Sequence, residues 1–494
     1  MITRIKIDGF KSLLNTELYF GPFTCIAGAN AAGKSNFFDV IMFISSLADN
    51  TILQAAKSVR SENQKHSNIR DIFFRSGVHY YDTMSFEIDM LVSQSAEDDL
   101  GQRAEAKITS LRYILQLKLN DESSNKEPIE IVKEELMPIT LREMGKSLFF
   151  KKDKEWVKSV LRGRRAGTPF ISTLGNIVKL HADSKENKRG GRTTEFNAEK
   201  MPRTLLSTVT AESPTAFLVR QEMRNWMLLQ FEPSALRQPN SFFEVKNAEI
   251  TANGANLPAT LYRLQNEKKE KDILQSITNK LKGLVSDVHE IYVDKDEKRD
   301  LLTLQIKFKD GLTLPAQSLS DGTLRFLGLV IIQEDSSNAR LICLEEPENG
   351  INPKKISEMV TLLEEIATDI NYPVDEDNPL RQVIINSHSP KVVSTVSDES
   401  LYLAYEREMY VDKFKKKVKY TGFSALPSTW KTENKLVPET SKGDIVSYLE
   451  SNGVLFEGFS NGLDEPTNFY EKSLINTKSK RTVVENVNQM KFHF

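Results

Sequence analysis

One stretch constrains this chain more than any other: Phe23 to Val40, FTCIAGANAAGKSNFFDV. Phe23 to Ile26 are apolar and β-prone and read as a buried strand. Directly after them, Gly28-Ala29-Asn30-Ala31-Ala32-Gly33-Lys34-Ser35 fits the phosphate-binding pattern G-x-x-x-x-G-K-[ST] without a gap. Strand, small-residue loop and helix is the order in which backbone N–H groups wrap a phosphate while the helix start adds a partial positive charge. Gly28 and Gly33 permit the tight loop. Lys34 would reach the β- and γ-phosphates and the Ser35 hydroxyl would help hold Mg²⁺. Asn30 and Asn36, in and beside the loop, are grouped with the nucleotide-binding residues. The competing reading is a Gly/Ala-rich turn that happens to end in Lys-Ser, so the rest of the chain must decide.

At 494 residues the chain exceeds one ordinary domain and can bury a sizeable core in two or three lobes. Its formal charge of −2 creates no strong overall pull toward nucleic acid or membrane. Both cysteines, Cys25 and Cys343, lie in apolar runs, which suggests core residues in a reducing compartment. The histidines show no zinc spacing. The longest apolar runs, such as Phe326 to Ile332, are too short to span a bilayer, and Met1-Ile-Thr-Arg-Ile-Lys lacks the apolar core of a signal peptide. A cytoplasmic protein with no membrane partner is expected.

Ile5 and Ile7 alternate with Arg4, Lys6 and Asp8, and Leu18 to Phe20 look like the partner strand of a hairpin. The helix after the phosphate loop carries Phe37, Val40, Ile41, Ile44 and Leu47 at helical spacing, a stripe that reads as core. Ser85 to Met90, Arg112 to Leu119 and Ile129 to Lys133 suggest an antiparallel sheet. From about Leu136 to Gln230 the pattern is mixed and mostly helical, broken by a polar stretch with Lys185, Lys188, Arg189, Gly190, Gly191 and Arg192. Together with Arg162, Arg164 and Arg165 this is either a solvated face or a nucleic-acid contact. Lys413, Lys415, Lys416, Lys417 and Lys419 read as one face of a surface hairpin. Ile273, Ile277, Leu281 and Leu284 form one face of a helix. No heptad pattern lasts long enough for an extended coiled coil, so any insertion is compact.

Leu341-Ile342-Cys343-Leu344-Glu345-Glu346 reads as a buried strand ending in two carboxylates. Neighbouring strand residues point to opposite sides, so Glu345 is assigned to Mg²⁺, mainly through water, and Glu346 to general base. A solvated acidic strand end is the alternative. Val383 to Asn386 is another apolar strand, followed by His388, which could contact a γ-phosphate and position water. Three strand ends bearing Lys-Ser, Glu-Glu and His are what a parallel sheet brings to one edge. Between them, Ser320-Asp321-Gly322-Thr323 opens an apolar helix. Ser320 and the Gly322 backbone are either an anion-binding helix start or a plain N-cap.

Taken together, GANAAGKS, LSDGT, LICLEEPENGINP and INSHSP, in that order after ITRIKIDGFKSL, resemble the ABC-type ATPase heads of the SMC and RecF group. Phe231-Glu-Pro-Ser-Ala-Leu-Arg237 and Gly254-Ala-Asn-Leu257 look like connecting segments of its compact, coiled-coil-poor branch. That branch includes ATPase subunits of anti-phage modules of the Septu-like, retron-associated and PARIS kinds. The resemblance implies an α/β fold: an ABC/RecF-like P-loop ATPase head with a mixed and parallel central sheet, an antiparallel β lobe and a compact helical insertion. It places the N-terminal half of the head at 1–135, the mainly helical insertion with its basic loop at 136–230, the C-terminal half at 231–425 and a partner-docking tail at 426–494.

The resemblance also implies a homodimer or higher homo-oligomer, with nucleotide held on the Lys34 surface of one protomer and covered by Ser320 and Gly322 of another. ATP and Mg²⁺ are the expected ligands, ATP hydrolysis the expected reaction, and an HNH-type nuclease or toxin the expected effector. Departures from the group's pattern are Asp321 for a glycine, Thr323 for Gln and Glu345 for Asp, and the last suggests slow hydrolysis. The group's glutamine-bearing loop has no clear match between Leu47 and Gln94. Val454-Leu-Phe-Glu457-Gly458 is superficially similar to the start of a nuclease domain, but too few residues follow it. The tail with Lys478, Lys480 and Arg481 is expected to pack on the head or dock a partner. A DNA-repair or DNA-clamping ATPase of the RecF/SMC type is the alternative function, and a transporter ATPase with a separate permease is a third.

Overall fold

Alternation of apolar and polar residues at the N-terminus builds the first strand, β1 (Ile2–Asp8), with Ile2, Ile5 and Ile7 buried. It pairs antiparallel with β2 (Thr16–Tyr19), setting Ile5 opposite Leu18. Gly9, at φ +79°, makes the turn that sends Phe10 into the core against Phe43 and Phe86. β3 (Phe23–Ala27) follows, buried throughout, and runs into the phosphate loop and α1 (Lys34–Ser46).

The computed structural model describes residues 1–59, 68–120, 127–163, 168–181, 193–267, 272–285, 287–336 and 340–451. The chain divides into Met1–Val454 and Leu455–Phe494, and only the first contains described residues. Arg164, Arg165, Lys185, Lys188, Arg189, Gly190, Gly191, Arg192, Glu457, Gly458, Lys478, Lys480 and Arg481 lie outside the described residues.

On the other side of β1 lies β4 (Thr83–Leu91), followed across an antiparallel sheet by β5 (Ser110–Leu119), β6 (Ile129–Pro138), β7 (Ile171–Leu174), β8 (Ile177–Leu180) and β9 (Thr194–Asn197). The order across its eight strands is β9-β8-β7-β6-β5-β4-β1-β2. Residues 136–230 thus hold not only the helices α2 (Leu141–Ser147), α3 (Lys154–Val160) and α4 (Pro214–Arg224) but also three strands that extend the β lobe. Leu174 pairs with Ile177 across a Gly175-Asn176 turn, with Gly175 at φ +58°. That two-residue turn favours a hairpin over a helix.

The second sheet is organised around β3. It contains β10 (Trp226–Leu229), β11 (Leu341–Glu345), β12 (Gln382–Ser387), β13 (Leu401–Val411) and β14 (Lys416–Ser424) in the order β10-β11-β12-β3-β13-β14. All neighbours are parallel except β13 and β14. Lysines on the β13–β14 hairpin keep this edge polar, as exposed edges require. Lys413 pairs with Asp82, Lys415 with Asp412 and Lys419 with Glu406.

Helix α1 shares one core with both sheets and buries Phe37, Phe38, Val40, Ile41, Phe43 and Ile44. Burial nearly all round suits a helix enclosed by protein rather than lying on the surface. Further along, α5 (Ile273–Leu284) buries Ile273, Ile277 and Leu281 and packs with α6 (Asp321–Glu334), which in turn packs with α7 (Ile356–Ile366).

Fully buried Gln382 joins the two sheets. Its Oε1 accepts from the Ile2 N–H at 2.9 Å, and its Nε2 donates to the Ile2 and Gly21 carbonyls at 2.8 Å each. Gln382→Leu leaves these groups unpaired and is expected to cost about 2–4 kcal/mol. A urea midpoint equal to wild type would remove this joint from the stability of the fold.

Candidate functional site

Parallel pairing sets the site. Glu345 lies opposite Asn386, Asn386 opposite Ile26, and Ser387 opposite Ala27. Strand ends therefore align at the carboxyl edge, where α/β sheets bind ligands. A cavity of about 350 Å³ opens there, lined by Asn30, Ala31, Gly33, Lys34, Ser35, Asn36, Glu345, Glu346, Asn349 and Asn386.

The loop from Gly28 to Gly33 is shaped by close contacts. A Cβ on Gly28 would lie 2.6 Å from the Ala404 carbonyl oxygen. Gly33 caps α1 at φ +90°, and a Cβ there would collide with the Thr421 hydroxyl. Thr421 is held at 2.7 Å from Ser12, whose hydroxyl also accepts from the Asn36 amide at 2.7 Å. The N-terminal turn and β14 thus brace the loop from outside.

Lys34 is buried, and its ammonium donates to the Gly28 and Ala29 carbonyls at 2.7 and 2.8 Å. Burial pushes its pKa down, while Glu346, Glu348 and Glu345 push it back up. Such a cation, ringed by loop backbone, is suited to an anionic group entering the cavity.

Glu345 and Glu346 are not divided between the two faces of the sheet, as strand alternation predicted. The strand ends at Glu345, and Glu346 turns into left-handed backbone at φ +45°. Its N–H donates to the Asn386 carbonyl at 3.0 Å and side-chain oxygen at 3.1 Å. Both carboxylates consequently line one cavity. Glu346 Oε1 lies 2.8 Å from His388 Nδ1, and Oε2 accepts from the Asn349 amide at 2.8 Å. Glu345 Oε1 is 3.3 Å from the Asn386 amide.

Ser320 and Gly322 stand apart from this cavity in the same chain. Ser320 is the N-cap of α6, accepting from the Thr323 N–H at 3.2 Å. Beside it, Asp321 is bound by Arg237 at 2.5 Å. Arg325, one turn into α6, donates to the Asn349 carbonyl at 2.8 Å.

Several residues at this edge were not singled out from the sequence. Gln230, just past β10, reaches Glu345 at 3.5 Å, far in the chain from the stretch between Leu47 and Gln94 where a glutamine was sought. Asn349 and Asn386 hold the two carboxylates. Glu348 is buried, accepts from Ser387 at 2.5 Å, and is pushed to a higher pKa mainly by burial. The apolar run Trp226–Leu229 ending in Gln was the available signal for Gln230, but only strand order gives it meaning.

Among the described residues no group of three or more His, Cys, Asp or Glu could hold a metal unaided. Mg²⁺ does not need one, since it keeps waters and substrate phosphates and takes few protein oxygens. The hard oxygen donors Ser35 and Glu345, both on the cavity wall, fit that ion.

A family model described as "AAA domain, putative AbiEii toxin, Type IV TA system" matches residues 181–394, somewhat under half of the chain and without the phosphate loop. No curated protein matches. Among solved structures, an SMC head bound to the C-terminal winged-helix domain of ScpA is similar at 13% identity and TM-score 0.43, over 86% of this chain and 98% of that one. An SMC head from Thermotoga maritima is similar at 11% identity and TM-score 0.33, over 85% and 97%. An SMC head from Pyrococcus furiosus, bound to the C-terminal domain of ScpA, is similar at 12% identity and TM-score 0.39, over 88% and 99%. These scores are too low to carry weight alone. Strand order, phosphate loop and family match together give the chain the fold of an ABC/SMC-like P-loop ATPase head.

Gly33→Ala places a methyl against Thr421 in backbone that costs roughly 1–2 kcal/mol for a non-glycine residue. Affinity for a fluorescent ATP analogue is expected to drop about tenfold or more, with unchanged circular dichroism. Wild-type affinity would show that the loop does not hold phosphate.

Proposed function

We propose that this chain is an ATP-hydrolysing switch subunit. The observation that carries the proposal is the 2.8 Å contact between His388 Nδ1 and Glu346 Oε1, on a sheet edge that also bears Lys34 and Ser35. In this reading the loop from Gly28 to Ser35, with Asn30 and Asn36 beside it, holds the triphosphate. Ser35 and Glu345 hold Mg²⁺, which when bound neutralises charge on the β- and γ-phosphates. Glu346 takes a proton from the attacking water as the water oxygen bonds to the γ-phosphorus and the bond to the β–γ bridging oxygen breaks. His388 holds the Glu346 carboxylate and contacts the γ-phosphate, and Asn349 holds the other carboxylate oxygen.

The exposed start of α6 supports a composite site in which Ser320 and Gly322 cover nucleotide on a second copy. ATP then closes a head-to-head pair and hydrolysis opens it. The toxin-system description attached to the matching family supports a setting in anti-phage defence, where this cycle gates a nuclease or toxin effector. Among the described residues no helix is long and apolar enough to cross a membrane.

Glu346→Gln should bind ATP normally and hydrolyse it about 10²- to 10⁴-fold more slowly. Phosphate release at the wild-type rate would remove Glu346 from the role of base. With ATP, the same variant should elute as a dimer by light scattering, and adding Ser320→Arg should return it to monomer. A double variant that still dimerises would place the nucleotide interface elsewhere.

A further inference from the structure

A cavity larger than the one at the nucleotide edge lies elsewhere among the described residues. A groove of about 1200 Å³ opens where the parallel strands begin, lined by Pro22 and Phe23 before and in β3, by the end of α7, and by residues just before β13. β3 is five residues long, so the groove lies roughly 16 Å from the phosphate loop along the strand. Its volume exceeds the roughly 300–1,000 Å³ of small-molecule sites, which favours a stretch of polypeptide over a metabolite.

The lining combines two kinds of group. Phe149, Phe150, Tyr372 and Trp430 supply aromatic surface, with Tyr372 64% exposed. Against the single lining lysine, Lys151, stand the carboxylates of Asp377 and six others. Among the described residues no lysine or arginine side chain forms an ion pair with Glu364, Glu365, Asp369, Asp375 or Glu433, while Glu399 lies near the Lys431 ammonium. Two rings already accept ammonium groups from the protein itself: Lys431 lies 5.1 Å from Trp430 and Lys152 5.6 Å from Phe150. Even with these counted, negative charge predominates. Carboxylates between aromatic faces recognise Lys and Arg stems and heads together, by charge, cation–π attraction and apolar contact.

We propose that this groove docks a basic, amphipathic segment of a partner protein, with Lys or Arg set against the carboxylates and apolar residues against the aromatic wall. A segment seated there touches none of the residues that line the nucleotide cavity.

The test uses the full chain and a short fluorescein-labelled peptide in which Lys and Arg alternate with Leu and Phe, followed by anisotropy. The expected result is saturable binding that weakens with salt. Glu364→Lys with Asp369→Lys should weaken it about tenfold or more, and Tyr372→Ala about threefold. Equal melting midpoints show that these exposed substitutions leave the fold intact, and Glu433→Lys repeats the charge reversal on a different element. The proposal is overturned if the charge-reversed proteins bind as well as wild type. It is also overturned if a peptide with Glu in place of Lys and Arg binds equally, or if spermine displaces the probe at the peptide's own potency, which would mark a small-cation site.

Discussion

Parallel register is the constraint on which the site depends. Side by side, β10, β11, β12 and β3 end at the same level, so residues from four distant parts of the chain meet without any of them being near neighbours in sequence. Shifting one strand by a single residue would turn its side chains to the opposite face. The buried run Leu341 to Leu344 ends at a carboxylate, so a slip of β11 toward its start would draw Glu345 into a packed level of the sheet. The hydrophobic core thereby fixes the spacing of a polar site.

Electrostatics at that edge is finely balanced. Lys34 alone would be costly to bury as a cation, yet three glutamates lie close enough to favour its charge. Those glutamates repel one another in turn, and burial raises Glu348 further. Amides provide neutral compensation: Asn386 serves Glu345 and Asn349 serves Glu346. A trianionic or tetraanionic phosphate chain brings more negative charge than one lysine can offset, which is the physical reason that the proposed phosphate-bound state calls for a divalent cation.

What could be read from sequence was whatever is written contiguously. The phosphate loop, the paired glutamates and the strand before His388 are local patterns, as is the alternation that marks β1, β4 and β5. Gln230, Asn349 and Asn386 carry no such signature. Their position follows from strand order, which periodicity does not encode. Strands β7 to β9 were hidden for a different reason: each spans four residues, too few for alternation to stand out beside the helical stretches around them. The opposite faces assumed for Glu345 and Glu346 would hold within a strand, and the left-handed turn at Glu346 is a feature of the strand's end.

The unusual carboxylate at Asp321 bears on whether the start of α6 can receive phosphate. An acidic residue in a first helical turn is stabilised by the aligned peptide dipoles, and by occupying that field it weakens the attraction offered to an incoming anion. Arg237 changes the balance, since its guanidinium binds both the Asp321 carboxylate and the Leu319 carbonyl. The pair is close to neutral and, with the Thr323 N–H already held by Ser320, leaves the Asp321 and Gly322 N–H groups to act on a ligand. From the same turn, Arg325 grips the loop that carries Asn349, and Asn349 holds Glu346. A displacement of α6 would pass to Glu346 through two hydrogen bonds, giving the surface proposed to cover a second copy a direct mechanical hold on the carboxylate assigned to proton transfer.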